Sequence, residues 1–158
     1  MKEFKIRVET LPPLRVAFFR AFSETPEREA SETLLAWADR KGLLVDPTSF
    51  RCFGFNNPPP WATEGPAYGY ESWITVGPDA EPDGVVQIKE FSGSLCAVTS
   101  IDRLAEIGAA WEFLYRWVEG NETYQHAHLD GLEEVLSPIG TPEAELAFNL
   151  WLPILPAQ

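Results

Sequence analysis

Tyr70-Glu71-Ser72-Trp73-Ile74-Thr75-Val76 decides the fold, because the chain writes it again 78 residues later as Phe148-Asn149-Leu150-Trp151-Leu152-Pro153-Ile154. Both stretches open on an aromatic ring, place tryptophan fourth and follow it with an aliphatic residue. Further out, Glu32-Thr33-Leu34-Leu35-Ala36-Trp37 recurs as Glu112-Phe113-Leu114-Tyr115-Arg116-Trp117 at an offset of 80. Ile6-Arg7-Val8-Glu9-Thr10-Leu11 recurs in pattern as Val86-Gln87-Ile88-Lys89-Glu90-Phe91, again at 80. Self-similarity at one period marks one supersecondary unit used twice. Two units related by a pseudo-twofold axis are expected to leave a ligand cleft at their seam.

Each unit reads β-α-β-β. In the first, a strand at 4–9 meets Pro12-Pro13, which cannot continue a ladder, and a second extended stretch runs from Arg15 to Ala21. Thr25-Pro26-Glu27-Arg28-Glu29 is a helix start, with an N-cap hydroxyl, proline at the first position and acids that suit the helix dipole. Leu34, Leu35 and Trp37 form its buried stripe and Gly42 ends it. Strands are expected near 49–56 and 68–76, joined by a loop through Pro58-Pro59-Pro60-Trp61. Pro78 to Gly84 connects the halves, which run over about 1–80 and 84–158 of one domain spanning 1–158. The second half predicts strands at 85–90 and 95–100 and a helix capped by Ser100 or Asp102. Final strands follow near 129–136 and 146–154. The fold class is therefore α+β: tandem pseudo-twofold β-α-β-β repeats whose antiparallel sheets carry helices on one side and a concave ligand cleft on the other.

A chain of 158 residues with 45% hydrophobic content has material for a real core, and 23% charged residues argues against disorder. A net charge of −12 argues against binding a phosphate backbone, since nucleic-acid readers concentrate Lys and Arg. Cys52 and Cys96 lack CxxC spacing, and Met1-Lys2-Glu3 leads straight into a strand with no targeting pattern. With no apolar run of membrane-spanning length, the expectation is a cytoplasmic protein with no membrane partner.

Further stretches of the first half are Leu11-Pro12-Pro13-Leu14-Arg15-Val16-Ala17, Gly54-Phe55-Asn56-Asn57-Pro58 and Tyr70 to Val76. In the second half they are Ala109 to Trp117, Leu132-Glu133-Glu134 and Leu150-Trp151-Leu152-Pro153-Ile154. In these stretches, their order and their doubling, the chain resembles the GyrI-like effector-binding domain over essentially its whole length. The family is related to the ligand-binding domains of the transcription regulators BmrR and Rob. The resemblance implies a cleft for bulky, often cationic or aromatic molecules, with an acid on the penultimate strand. Glu133 matches that acid, and its repeat partner is Gly54. Val135 stands where the family often has tyrosine, and no DNA-binding segment is seen ahead of the domain.

Alternation along the twin strands puts Glu71, Trp73 and Thr75 on one face and Tyr70, Ser72 and Ile74 on the other. Trp73 and Trp151 then become partners on the face the helices leave uncovered. The candidate ligand-binding set is Glu133, Glu71, Trp73 and Trp151, with Tyr68, Phe55, Phe19 and Trp111 as further walls. A cation over an indole face gains roughly 0.5–2 kcal/mol, and a carboxylate beside it supplies countercharge. Trp37, Trp111 and Trp117 read first as helix-face core residues, and Trp61 as a lid or a ring packed on its own strand. His126-x-His128 suits a metal, but a third ligand at helpful spacing is not evident, so no metal and no cofactor is expected.

The favoured function is a small-molecule binding protein for bulky aromatic or cationic hydrophobic compounds, akin to multidrug-binding, regulator-related domains. One alternative is a hydrolase of electrophilic natural products, in which Glu133 or Glu71 is the general base and Glu133 the catalytic residue favoured. Another is a gyrase-inhibitor-type interaction with a partner protein. The binding reading does not require an enzyme.

Overall fold

The computed structural model describes residues 3–158; Met1 and Lys2, where the expected lead into the first strand begins, lie outside the described residues. The chain forms two compact units, one of residues 14–91 and the other of the residues through Pro13 together with 92–158.

The 14–91 unit holds β2 (Leu14–Ser23), α1 (Pro26–Arg40), β3 (Cys52–Asn56), β4 (Tyr68–Thr75) and β5 (Gln87–Phe91). Its sheet runs β3-β4-β2-β5, antiparallel throughout, with Phe18 opposite Trp73 and Val16 opposite Lys89. The helix begins where Pro26 fixes φ, and Thr25 stands at its N-cap without a side-chain capping bond. Ser23 Oγ instead accepts the Thr25 N–H at 3.1 Å. At the other end Gly42 takes a φ of +71°, the left-handed turn that glycine adopts without steric cost. Leu34, Trp37 and Ala38 of α1 bury against Ala17, Ile74 and Val86, so the helix covers the face that carries Ile74.

The second unit holds β1 (Arg7–Leu11), β6 (Ser94–Ile101), α2 (Ile107–Glu119), β7 (Tyr124–His126), β8 (Leu132–Val135) and β9 (Phe148–Pro156). Its sheet runs β1-β6-β9-β8, with β7 also paired to β9. Ala110, Leu114 and Val118 of α2 bury against Ala97, Ile101, Phe148, Leu150, Leu152 and Ile154. Full burial of such aliphatic side chains contributes about 1.5–3 kcal/mol each, which anchors the helix to this face.

The repeated β-α-β-β plan stands, and helix α2 departs from the expected start. Strand β6 continues to Ile101, which places Ser100 in the ladder opposite Asn149. A 3-10 turn at Leu104–Glu106 then leads into α2 at Ile107, and neither Ser100 nor Asp102 caps it. Each compact unit also contains one short strand from the opposite half of the sequence. β1 pairs with β6 and β5 pairs with β2, on either side of turns at Pro12-Pro13 and Ser92-Gly93. Gly93 sits at φ +87°, and a Cβ there would approach the Leu11 carbonyl oxygen to 2.9 Å.

Candidate functional site

Strand alternation is confirmed and divides the candidate residues between two faces. On the face of the 14–91 sheet away from α1, the Trp73 indole donates to Glu71 Oε2 at 2.6 Å. Lys89 donates to the same oxygen as an ion pair, and Asn57 Nδ2 donates to Glu71 Oε1 at 3.2 Å. The Lys89 ammonium lies 4.2 Å from the Phe18 ring centre, 5.0 Å from that of Trp73 and 5.9 Å from that of Phe55. Phe53, Phe55 and Phe91 close around the indole with centroids at 6.3, 5.7 and 5.6 Å. Glu71 is only 4% exposed and Trp73 5%. A charge buried this deeply needs a partner, and Lys89 provides it.

The second unit repeats the arrangement with different polar groups. Trp151 Nε1 donates to Glu134 Oε1 at 3.0 Å, and Asn149 Nδ2 donates to the same oxygen at 3.3 Å. Asn149, the repeat counterpart of Glu71, accepts in turn from Arg7 at 3.2 Å and from Ser100 Oγ at 2.6 Å. Trp151 is 4% exposed and Glu134 5%. The tryptophans thus lie on the face the helices do not cover, as the pattern predicts, but each is buried against an acid.

Glu133 is not among them. The β8–β9 register sets Glu134 opposite Asn149, Leu132 opposite Trp151 and Glu133 opposite Leu150. Directly opposed residues share a face, so Glu133 lies on the helix-packed side with Leu150. The expectation that Glu133 shares a face with Trp73 and Trp151 is corrected by this one-residue phase. Its partner is Trp111 of α2, whose Nε1–H it accepts at 3.0 Å. Both side chains are partly buried.

From Trp111 a run of rings leads outward. Tyr115, one helical turn on, has its centroid 6.2 Å away. His126 stacks on Tyr115 at 5.2 Å and 28°, and His128 follows at 6.1 Å. Burial, and then the charge of Asp130, push the Tyr115 hydroxyl above the usual tyrosine range. Among the described residues no group of three or more His, Cys, Asp or Glu side chains is placed to hold a metal ion.

In the 14–91 unit the helix-packed face carries Phe19, Tyr68 and Tyr70. Phe19 packs on Ala21, Ala30 and Tyr70. Tyr68 donates its hydroxyl to both Glu27 oxygens, at 2.8 and 2.9 Å. Burial first, then the Glu27 hydrogen bond and charge, push that hydroxyl up to about 12. Trp61, in the proline loop, is 84% exposed and does not pack on its own strand. Sequence reasoning missed Lys89 and Glu134. The alternation that singles out Trp73 also puts Lys89 across the sheet on its face, but only the strand order brings them together.

With this geometry in hand, comparison with known proteins places the chain in a family. The model of the GyrI-like small molecule binding domain matches residues 4–155, and the chain belongs to that family. Among solved structures, the C-terminal domain of EcmrR superposes with a TM-score of 0.72 at 15% identity, over 96% of this chain and 98% of that one. The chain spans 57% of EcmrR as seen in its DNA complex. A hydrolase from Listeria innocua matches with a TM-score of 0.65 at 13% identity, over 96% of this chain and 92% of its own. SAV2435 bound to tetraphenylphosphonium matches with a TM-score of 0.57 at 12% identity, over 98% of this chain and 94% of its own. At such identities the likeness is one of fold. No curated protein matches the chain. No helix among the described residues is long and apolar enough to cross a membrane.

Proposed function

We propose that this chain captures bulky aromatic or cationic hydrophobic compounds on the helix-packed face of its second unit. In this reading Glu133 supplies countercharge and Trp111 the wall. The observation that carries it is the 3.0 Å hydrogen bond from the Trp111 indole to Glu133, between two side chains that both keep some exposure. The bond fixes a carboxylate at the edge of an indole, so a cation over the ring is attracted by the quadrupole and the charge together, the ring alone contributing about 0.5–2 kcal/mol. The buried pairs Glu71–Trp73 and Glu134–Trp151 serve the sheets instead, because their donors and acceptors are turned to each other at 4–5% exposure. Family membership supports a small-molecule ligand. The tetraphenylphosphonium held by SAV2435 is the natural first probe of the cationic class.

Isothermal titration with tetraphenylphosphonium tests the reading. The wild-type chain is expected to bind with micromolar affinity. Glu133→Gln retains an oxygen for the Trp111 N–H but removes the charge, and is expected to weaken binding about tenfold or more, equivalent to about 1.4 kcal/mol. Equal affinity in the two proteins, with melting temperatures unchanged, would remove Glu133 from the proposal.

A further inference from the structure

We infer that Gly131 is a positioning residue for the Glu133–Trp111 pair: its bare backbone is the slot that holds the indole on the carboxylate. A Cβ placed on Gly131 would lie 2.6 Å from Trp111 Cη2 and 2.9 Å from Cζ3. Carbon atoms pack best at about 3.5–4.0 Å, so the ring cannot stay where it is beside any larger residue. The next neighbour, the Trp151 carbonyl oxygen, would be 3.4 Å away, an ordinary contact. Gly131 is not among the residues of positive φ, so the backbone conformation does not demand glycine there. The ring does.

Geometry makes the consequence specific. Cη2 and Cζ3 belong to the six-membered ring, at the end of the indole remote from Nε1. The indole is rigid, so pressure at that end swings the whole plane and draws the N–H off Glu133 Oε2, 3.0 Å away. Tyr115 lies against the indole at 6.2 Å and 40°, so the seated ring is held from the helix as well. Trp111 thereby acts as a fixed wall, and the absence of a side chain at residue 131 sets its position.

The other unit contains the same device. A Cβ on Gly54 would lie 2.3 Å from the Tyr70 hydroxyl oxygen and 2.5 Å from the ring, and Gly54 also has no positive φ. Gly54 occupies the place that Glu133 holds in the repeat, 79 residues on. Each unit therefore lays a polar aromatic ring across a glycine on its helix-packed face.

The inference rests on the Glu133–Trp111 reading of the site, but its first test needs no ligand. In 15N–1H spectra the six tryptophans give separate indole signals, with Trp111 assigned through Trp111→Phe. Gly131→Ala is expected to shift the Trp111 signal and speed its exchange with solvent, while those of Trp37 and Trp73 stay in place. An unmoved Trp111 signal would overturn the inference. Tetraphenylphosphonium titration of the same variant is expected to show at least about a tenfold loss of affinity. A shifted indole with affinity equal to a binding wild type would refute the positioning role. If the wild type does not bind, the function proposal fails and the spectrum alone decides on Gly131. A double-variant cycle covers poor folding of the single variant. In a Trp111→Leu background, which removes the obstructing ring, Gly131→Ala is expected to lower the melting temperature far less than in wild type. Equal losses in both backgrounds would show that the glycine serves the strand and would overturn the inference.

Discussion

Replacing Lys89 by Met isolates the charge that balances Glu71. Methionine is close to lysine in length and makes favourable contacts with aromatic rings, so Phe18, Phe55 and Trp73 keep a neighbour while the ammonium is lost. Glu71, with a side chain 5% exposed, is then left with Trp73 and Asn57 donating to it and no countercharge from Lys89. Removing one partner of a fully buried pair costs about 3–5 kcal/mol. The Lys89 side chain is 36% exposed, so water already screens part of the attraction. We therefore expect about 2–3 kcal/mol, or roughly 5–10 °C in Tm for a chain of this size. Urea unfolding at pH 7, followed by tryptophan fluorescence, reads the change directly. The double variant Glu71→Gln/Lys89→Met removes the orphaned charge but leaves an acceptor for Trp73, and should return to within about 1 kcal/mol of wild type. A loss below about 0.5 kcal/mol for Lys89→Met, or a double variant no better than the single one, would show that Lys89 does not balance Glu71.

Two further outcomes follow from individual side chains. Tyr68 is held protonated by burial and Glu27 up to about 12, against about 10 in an unfolded chain. Its contribution to stability is complete below pH 10 and is lost as pH rises toward 12, because the folded state binds the extra proton over that interval. In absorbance titration Glu27→Gln should move the ionisation of Tyr68, identified by its loss in Tyr68→Phe, to lower pH. A Tyr68 ionisation unmoved by Glu27→Gln would contradict the Glu27 contact. The cysteines should separate kinetically: Cys96 is buried, and burial pushes its thiol up to about 11, opposed in part by a side-chain hydrogen bond from Ser94. Cys52 is only partly buried, so iodoacetamide at pH 8 should alkylate Cys52 first, as read by peptide mass. Equal rates would show that the β6 region opens readily.

The twin strands were readable because their alternation is strong. Tyr70-Glu71-Ser72-Trp73-Ile74 has one apolar phase, and the structure buries Ile74 under α1 and leaves Trp73 on the opposite face. Leu132-Glu133-Glu134-Val135 carries no such phase, since either assignment puts one aliphatic residue and one acid on each face. A one-residue slip reverses every side chain, so the choice between Glu133 and Glu134 beside Trp151 rested on ladder partners the local sequence does not contain. The pairing of β1 with β6 and of β5 with β2 was hidden for the same reason. Patterning shows that a strand is half-buried but not which strand lies beside it. Ser100 looked like a cap because its hydroxyl suits one, yet the ladder to Asn149 carries the strand past it. Tyr124–His126 is too short to give a periodic signal of its own.

Titrating the 15N-labelled chain with tetraphenylphosphonium while following its indole N–H signals tests whether the ligand lies beside Trp111. A ligand on the helix-packed face of the second unit should move the Trp111 signal saturably and leave Trp73 and Trp151, sealed against Glu71 and Glu134, where they were. Saturable movement of Trp73 and Trp151 with Trp111 unaffected would contradict that placement.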